Sequence, residues 1–247
     1  MKSVYTGDEK VAEFESYDEL RVGENKPAFI YEGSELVYPN PVKDGLVLWY
    51  DFSGRTNTDG QRGIAEDLSG NGNHGTLQNF NYTSESGYDK NKLLFDGVDD
   101  YVGETVNRII ELDVFKDSLA FTVKVKENKR NNLLYAQEDL KIDLWGGSIR
   151  RSDMSPSIKA ERNILNEVVS VYMVRDGVRH LTYINGVVVD DVAYTNSKPL
   201  RFSNIGNYVP AGRPNVELYD VKIYNRPLTP SEVAHNYAIE KERFGIE

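Results

Sequence analysis

A chain of 247 residues with 39 acidic and 29 basic side chains, a formal net charge of −10, is poorly matched to nucleic acid or an anionic membrane, since both call for lysine and arginine. With no cysteine, disulfides and thiolate metal sites are excluded, and hard oxygen ligands remain as the main metal chemistry on offer. The 16 Tyr and 9 Phe suit strands and half-buried surfaces, and the length fits one large β domain with a small appendage.

Residues 1–41 differ in pattern from the rest of the chain. "VYTGDEKVAEF" (Val4 to Phe14) and "IYEGSELVYP" (Ile30 to Pro39) repeat an aromatic, Gly, acidic, Val pattern, each copy predicting strand, turn and strand. The opening "MKSVYTGDEKVAEF" has no apolar export core, and no later run approaches a membrane span, so the chain is expected to fold in the cytoplasm without membrane insertion. Pro39 and Pro41 mark a linker, dividing the chain into 1–41 and 42–247.

From Leu46 onward strand signals recur between turns: "LVLWYDF", "KLLFDG", "DYVGE", "LAFTVKVKE", "NLLYA", "LKIDLW", "VVSVYMVRDG", "HLTYINGVVVDDV", "LRFSNIG" and "VELYDVKIY". Many short strands predict an antiparallel sandwich or barrel. Asp176-Gly177 and Asn185-Gly186 supply the positive φ that tight hairpins need, so "SVYMVRDGVRHLTYINGVVV" predicts a three-stranded meander. "VNRIIELDVF" (Val106 to Phe115) fits a helical turn or a strand. In "NRPLTPSEVAHNYAIEKERF", Thr229 as cap, Pro230 at the first position and Glu232 three residues on form a capping box for a C-terminal helix.

Taken in order, "GLVLWYDFSG", "DLSGNGNHGTL", "LLFDGVDDYV", "TYINGVVV" and "LYDVKIYNRPLTPSEV" resemble the concanavalin A-like, laminin G-like jelly-roll domains over Gly45 to Tyr237. The resemblance implies an all-β fold of two antiparallel sheets packed face to face, with a small N-terminal β segment and a short C-terminal helix added in this chain. It implies carbohydrate or protein binding and, often, a structural calcium ion. The "IYEGSELVYP" copy is similar to leader segments of bacteriophage tail and baseplate proteins. A jelly roll that acts outside cells, on a chain without an export signal, fits a virion protein assembled in the host cytoplasm and released by lysis.

Several residues are candidates for a site. In "DLSGNGNHG" the side chains of Asp67, Asn71 and Asn73 are oxygen donors of the kind calcium takes, although the same side chains also stabilise turns. The resemblance places this loop near the first and last strands, which adds Asp51 and Asp220 to the set. Asp96, Asp99 and Asp100 read as a turn between two strands in preference to a second metal cluster. Trp145 and Tyr208, each bordering a Gly-rich segment, are candidates to stack on sugar rings, with Arg213 as a hydrogen-bonding neighbour; Trp49 reads as core. His74, His180 and His235 lack metal-ligand spacing.

No catalytic residues are assigned. The paired-carboxylate signature of hydrolases on this fold is missing, and Glu138 and Asp143, five apart, fall on opposite faces of a regular strand. The expected function is therefore a non-enzymatic virion component. Its residues 1–41 contact other virion proteins, and its sandwich binds a cell-surface glycan or protein. A bacterial carbohydrate-binding module at the cell surface is the alternative, and a hydrolase the third reading.

Overall fold

The computed structural model describes residues 2–6, 9–14, 27–32, 35–104, 110–112, 116–129, 131–136, 140–145, 148–151, 154–155, 158–194, 196–197, 201–207 and 212–247. Chain contacts divide it into two units, Met1–Pro41 and Val42–Glu247. In the first unit each copy of the repeated pattern forms an antiparallel hairpin, Lys2–Thr6 with Glu9–Phe14 and Ile30–Glu32 with Glu35–Tyr38.

In the second unit the β-branched and aromatic runs become two antiparallel sheets of eight strands each among the described residues. One runs Val187–Ala193, Arg179–Ile184, Val168–Asp176, Lys116–Val125, Val216–Tyr224, Lys92–Leu94 and Gly87–Asp89, with Leu46–Asp51 also paired to Val216–Tyr224. The other runs Ile158–Glu161, Ser148–Arg151, Leu140–Trp145, Asn131–Ala136, Asn204–Ile205, Tyr101–Glu104, Gly75–Gln78 and Ile64–Ala65. This is an all-β sandwich. The predicted meander is present, its turns set by Gly177, Asn185 and Gly186 at positive φ. The Val106 to Phe115 run holds a strand where its described residues lie: Ile110–Glu111 pairs with Arg201–Phe202, so tertiary pairing decides what the local pattern left open.

Register fixes what each face of the first sheet buries. Leu119, Phe121, Val171, Met173, Val221 and Ile223 occupy matched positions on three adjacent strands and belong to one core with Leu134, Ile142 and Ile149 of the second sheet. At one end this inner face closes on ions: Asp117 accepts from Arg151 at 3.0 Å and from Arg175 Nε at 2.8 Å, all three fully buried.

The outer face of the same strands is covered by the helix Pro230–Phe244. Its capping box is present, with Thr229 N donating to Glu232 at 2.8 Å, and Gly245 ends it in the left-handed conformation. The buried stripe is Val233, Asn236, Glu240 and Phe244. Glu240 accepts from Ser170 Oγ, from Tyr172 OH at 2.5 Å and from Lys222 Nζ at 2.8 Å, and Lys222 also donates to Asp220. Burial pushes the Tyr172 phenol up, reinforced by Glu240. Burial disfavours the Lys222 ammonium, but Asp220 and Glu240 outweigh it and hold the charge. Asn236 joins this layer, donating to Tyr224 OH at 3.0 Å and accepting from Val42 N at 2.8 Å.

Candidate functional site

The Gly- and Asn-rich loop Asp67–Gly75 lies along the strand Leu46–Asp51, whose other edge pairs with Val216–Tyr224. An open edge leaves backbone groups without partners, and the loop supplies them. Asp67 Oδ1 accepts from Trp49 N and Ser69 N at 3.0 Å each, and Oδ2 from Asn73 N at 2.9 Å. Asn71 donates to Leu46 O at 3.0 Å and Asn73 to Val47 O at 2.9 Å, while Tyr50 OH donates to Asn73 O at 2.7 Å. Gly70 and Gly72, both at positive φ, let the loop fold back tightly enough for this.

Asp51 and Asp220 are direct cross-strand neighbours, but cations of the chain itself sit against both: Arg243 on Asp51, Lys222 on Asp220. Asp51, Asp67 and Asp220 do not come together as one ligand set. Among the described residues the acidic group whose ligand atoms all lie within 4.8 Å of one another is Asp96, Asp99 and Asp100.

That acidic turn stands at one end of the sandwich, beside the 79–86 connection and on the same side as 162–167, 185–186 and the segments after Val125 and before Val216. The turn is internally bonded, with Asp96 N donating to Asp100 at 2.9 Å, Ser86 Oγ to Asp100 at 2.9 Å and Val98 N to Asp96 at 2.7 Å. Burial raises the Asp100 carboxyl to about 6, against the lowering effect of the Asp96 and Ser86 donors.

Beside it, Arg213 is half-buried. Its Nη1 donates to Gly206 O at 3.1 Å and Asn207 Oδ1 at 2.9 Å, and its guanidinium carbon lies 5.4 Å from the centre of the Tyr101 ring. A side-chain carbon at Gly206 would lie 3.1 Å from Asp100 O, so the Arg213 loop and the acidic turn are in contact. The result is a fixed planar cation on an aromatic ring next to a cluster of carboxylates, able to hydrogen-bond and stack on a polar ligand. Tyr101 was the part sequence reading missed; its signal was an aromatic residue directly after two acids at a strand start. Trp145 ends the strand Leu140–Trp145 opposite Ser148, and Tyr208 lies outside the described residues, as does Glu138. Asp143 is buried in that same strand, opposite Asn132 and Arg150.

No model of a known protein family matches the sequence, and no curated protein matches it either. Solved structures do match in fold. A Trypanosoma rangeli sialidase in complex with sialic acid is 15% identical with a TM-score of 0.54, covering 82% of this chain and 34% of the sialidase. The receptor binding domain of botulinum neurotoxin C/D mosaic serotype is 13% identical with a TM-score of 0.59, covering 81% of this chain and 52% of that one. The serotype D binding domain is 13% identical with a TM-score of 0.58, covering 81% and 53%. The chain thus spans about a third of the sialidase and about half of the toxin domains. At these identities the likeness establishes the fold class, a jelly-roll-like β-sandwich, and the fold alone.

Proposed function

We propose that the sandwich is a non-enzymatic carbohydrate-binding module and that the whole chain serves as a virion surface component. The observation that carries the binding reading is the Arg213 and Tyr101 pair at the loop end, held by Gly206 and Asn207 beside the acidic turn. A guanidinium locked on an aromatic ring loses little entropy on meeting a sugar hydroxyl or carboxylate. Support also comes from the neighbours, one solved with sialic acid and two described as toxin binding domains. The virion reading rests on the doubled N-terminal pattern and its likeness to phage tail leaders, with residues 1–41 as the contact to other virion proteins.

The test is binding of the labelled full chain to an array of neutral and sialylated oligosaccharides, alongside the Arg213→Ala variant. Saturable binding that drops about tenfold or more in the variant supports the reading, a loss of roughly 1.4 kcal/mol. Absence of binding across the array overturns it. Release of free sugar from the bound glycans would overturn the non-enzymatic part, and absence of the chain from purified particles of its source would overturn the virion part.

A further inference from the structure

The same end of the sandwich holds a cleft of about 450 Å³, which Arg213 does not line, between the 162–167 connection, the start of Val168–Asp176, the hairpin tip at Asn185 and the end of the helix at Gly245. That volume lies within the range of about 300–1,000 Å³ typical of small-molecule sites. Three of its residues hold left-handed backbone, Asn166 at φ 61°, Asn185 at φ 51° and Gly245 at φ 66°. Each is pinned to a regular element. Asn166 N donates to Val125 O at 2.8 Å, Asn185 N to Ser170 O at 2.9 Å, and Gly245 N to Lys241 O. The walls are therefore set before any ligand arrives, which lowers the ordering cost of binding.

The side chains turned to this cleft have spare hydrogen-bonding capacity. The Asn166 amide has no partner among the described residues. Asn185 uses its Oδ1 on Ser170 N at 3.0 Å, which leaves its NH2 group. Arg162 and Glu167 stand 3.5 Å apart with side chains 38% and 57% exposed, a loose pair that a ligand can enter at little cost. The cleft thus offers both donors and acceptors, as the hydroxyls of a sugar require. Among the described lining residues, Glu167 and Glu247 against one arginine, Arg162, disfavour an anion, and Val168 is the sole apolar side chain, too little for a greasy ligand.

We infer that this cleft is a second saccharide subsite, selective for a neutral mono- or disaccharide and separate from the Arg213 surface. It rests on the proposed carbohydrate-binding function for the class of ligand only. The experiment is isothermal titration of the full chain with lactose, maltose and cellobiose at tens of millimolar, with N-acetylneuraminic acid in parallel. Asn166→Gly keeps the left-handed backbone while removing the amide, and Glu167→Gln removes one charge at an exposed position, so both variants are expected to melt as the parent does.

The expected result is binding of at least one neutral disaccharide that weakens about tenfold in Asn166→Gly and in Glu167→Gln and is unchanged in Arg213→Ala. No neutral disaccharide binding, or binding indifferent to both cleft substitutions, overturns the inference. If glycan binding is lost in Arg213→Ala alone, the cleft fails and the proposed function stands. If nothing in the panel or on the array binds, both fall.

Discussion

The two faces of the first sheet are buried to the same degree by opposite chemistry. Inward, Leu119, Phe121, Val171, Met173, Val221 and Ile223 meet the second sheet as hydrocarbon; outward, Thr122, Ser170, Tyr172, Asp220 and Lys222 on the same strands meet the helix as a polar and ionic layer around Glu240. Hydrocarbon burial is non-directional and stabilises in proportion to area, so many side chains of similar volume would serve. A buried ion layer gains little net energy, because desolvation offsets most of the attraction, yet it is costly to leave half made. The inner face holds the sandwich together, and the outer face fixes which register of the helix fits.

The largest effect that tests this contrast is truncation of the core. Phe121→Ala should cost about 3–5 kcal/mol in denaturant unfolding. Glu240→Ala should cost about 3 kcal/mol, since it leaves the buried Lys222 with Asp220 alone and takes the acceptor from the Ser170 and Tyr172 hydroxyls, whereas the triple replacement Lys222→Met, Glu240→Leu and Asp220→Leu, which removes the buried charges together, should recover part of that loss. If the triple variant is as unstable as Glu240→Ala, the polar layer contributes net stability and the contrast fails.

Acidity separates the faces more finely. Burial raises Asp220 to about 6, aided by Glu240 and Asp51 and opposed by Lys222, and burial likewise raises Asp100 to about 6. Both then lie above the unfolded value of about 3.9. The folded state binds more protons between those limits, so these groups make stability fall as pH rises through about 6 and rise as pH drops from about 7.5 to 5.5. Glu232 runs the other way: Arg226 and the Thr229 donors lower it to about 2, and its contribution is lost only below its unfolded value, as pH falls toward 2. Melting temperature should therefore climb slightly from about pH 7.5 to 5.5 and drop below about 4. Asp220→Asn with Asp100→Asn should flatten the first limb and leave the second. A first limb unchanged in the double variant would mean that neither carboxyl is its source.

Much of the fold was legible because its signals are local. Asp176-Gly177 and Asn185-Gly186 state their turns outright, and Thr229, Pro230 and Glu232 state the helix start. The outer layer was harder, since Glu240 sits in "IEKERF" among charges that look alike. Only the spacing Val233, Asn236, Glu240 and Phe244, one helical face, marks it as inward. The Asp67 loop illustrates the limit. Composition shows oxygen and nitrogen donors there but not that the strand Leu46–Asp51 presents an unpaired edge for them, which is a property of sheet order. The loop-end site is likewise a product of topology, bringing Tyr101 to Arg213 from a distant part of the chain.

The smallest effect concerns the cap and tests whether the helix is held by its ends or by its buried stripe. Thr229 Oγ1 accepts from Glu232 N at 3.3 Å, and Glu232 is also gripped by Arg226 at 2.6 Å, so the first turn has two fastenings. Thr229→Ala removes one and should cost about 1 kcal/mol, while Thr229→Ser should be nearly silent. Because Glu240 and Phe244 lie toward the far end, the loss should appear as faster amide exchange in the first turn alone, with the amides of Val168–Asp176 and Val216–Tyr224 as protected as before. Exchange that quickens along the whole helix would mean the cap and the ion layer act as one cooperative unit. The outer face would then depend on its edge as much as on its centre.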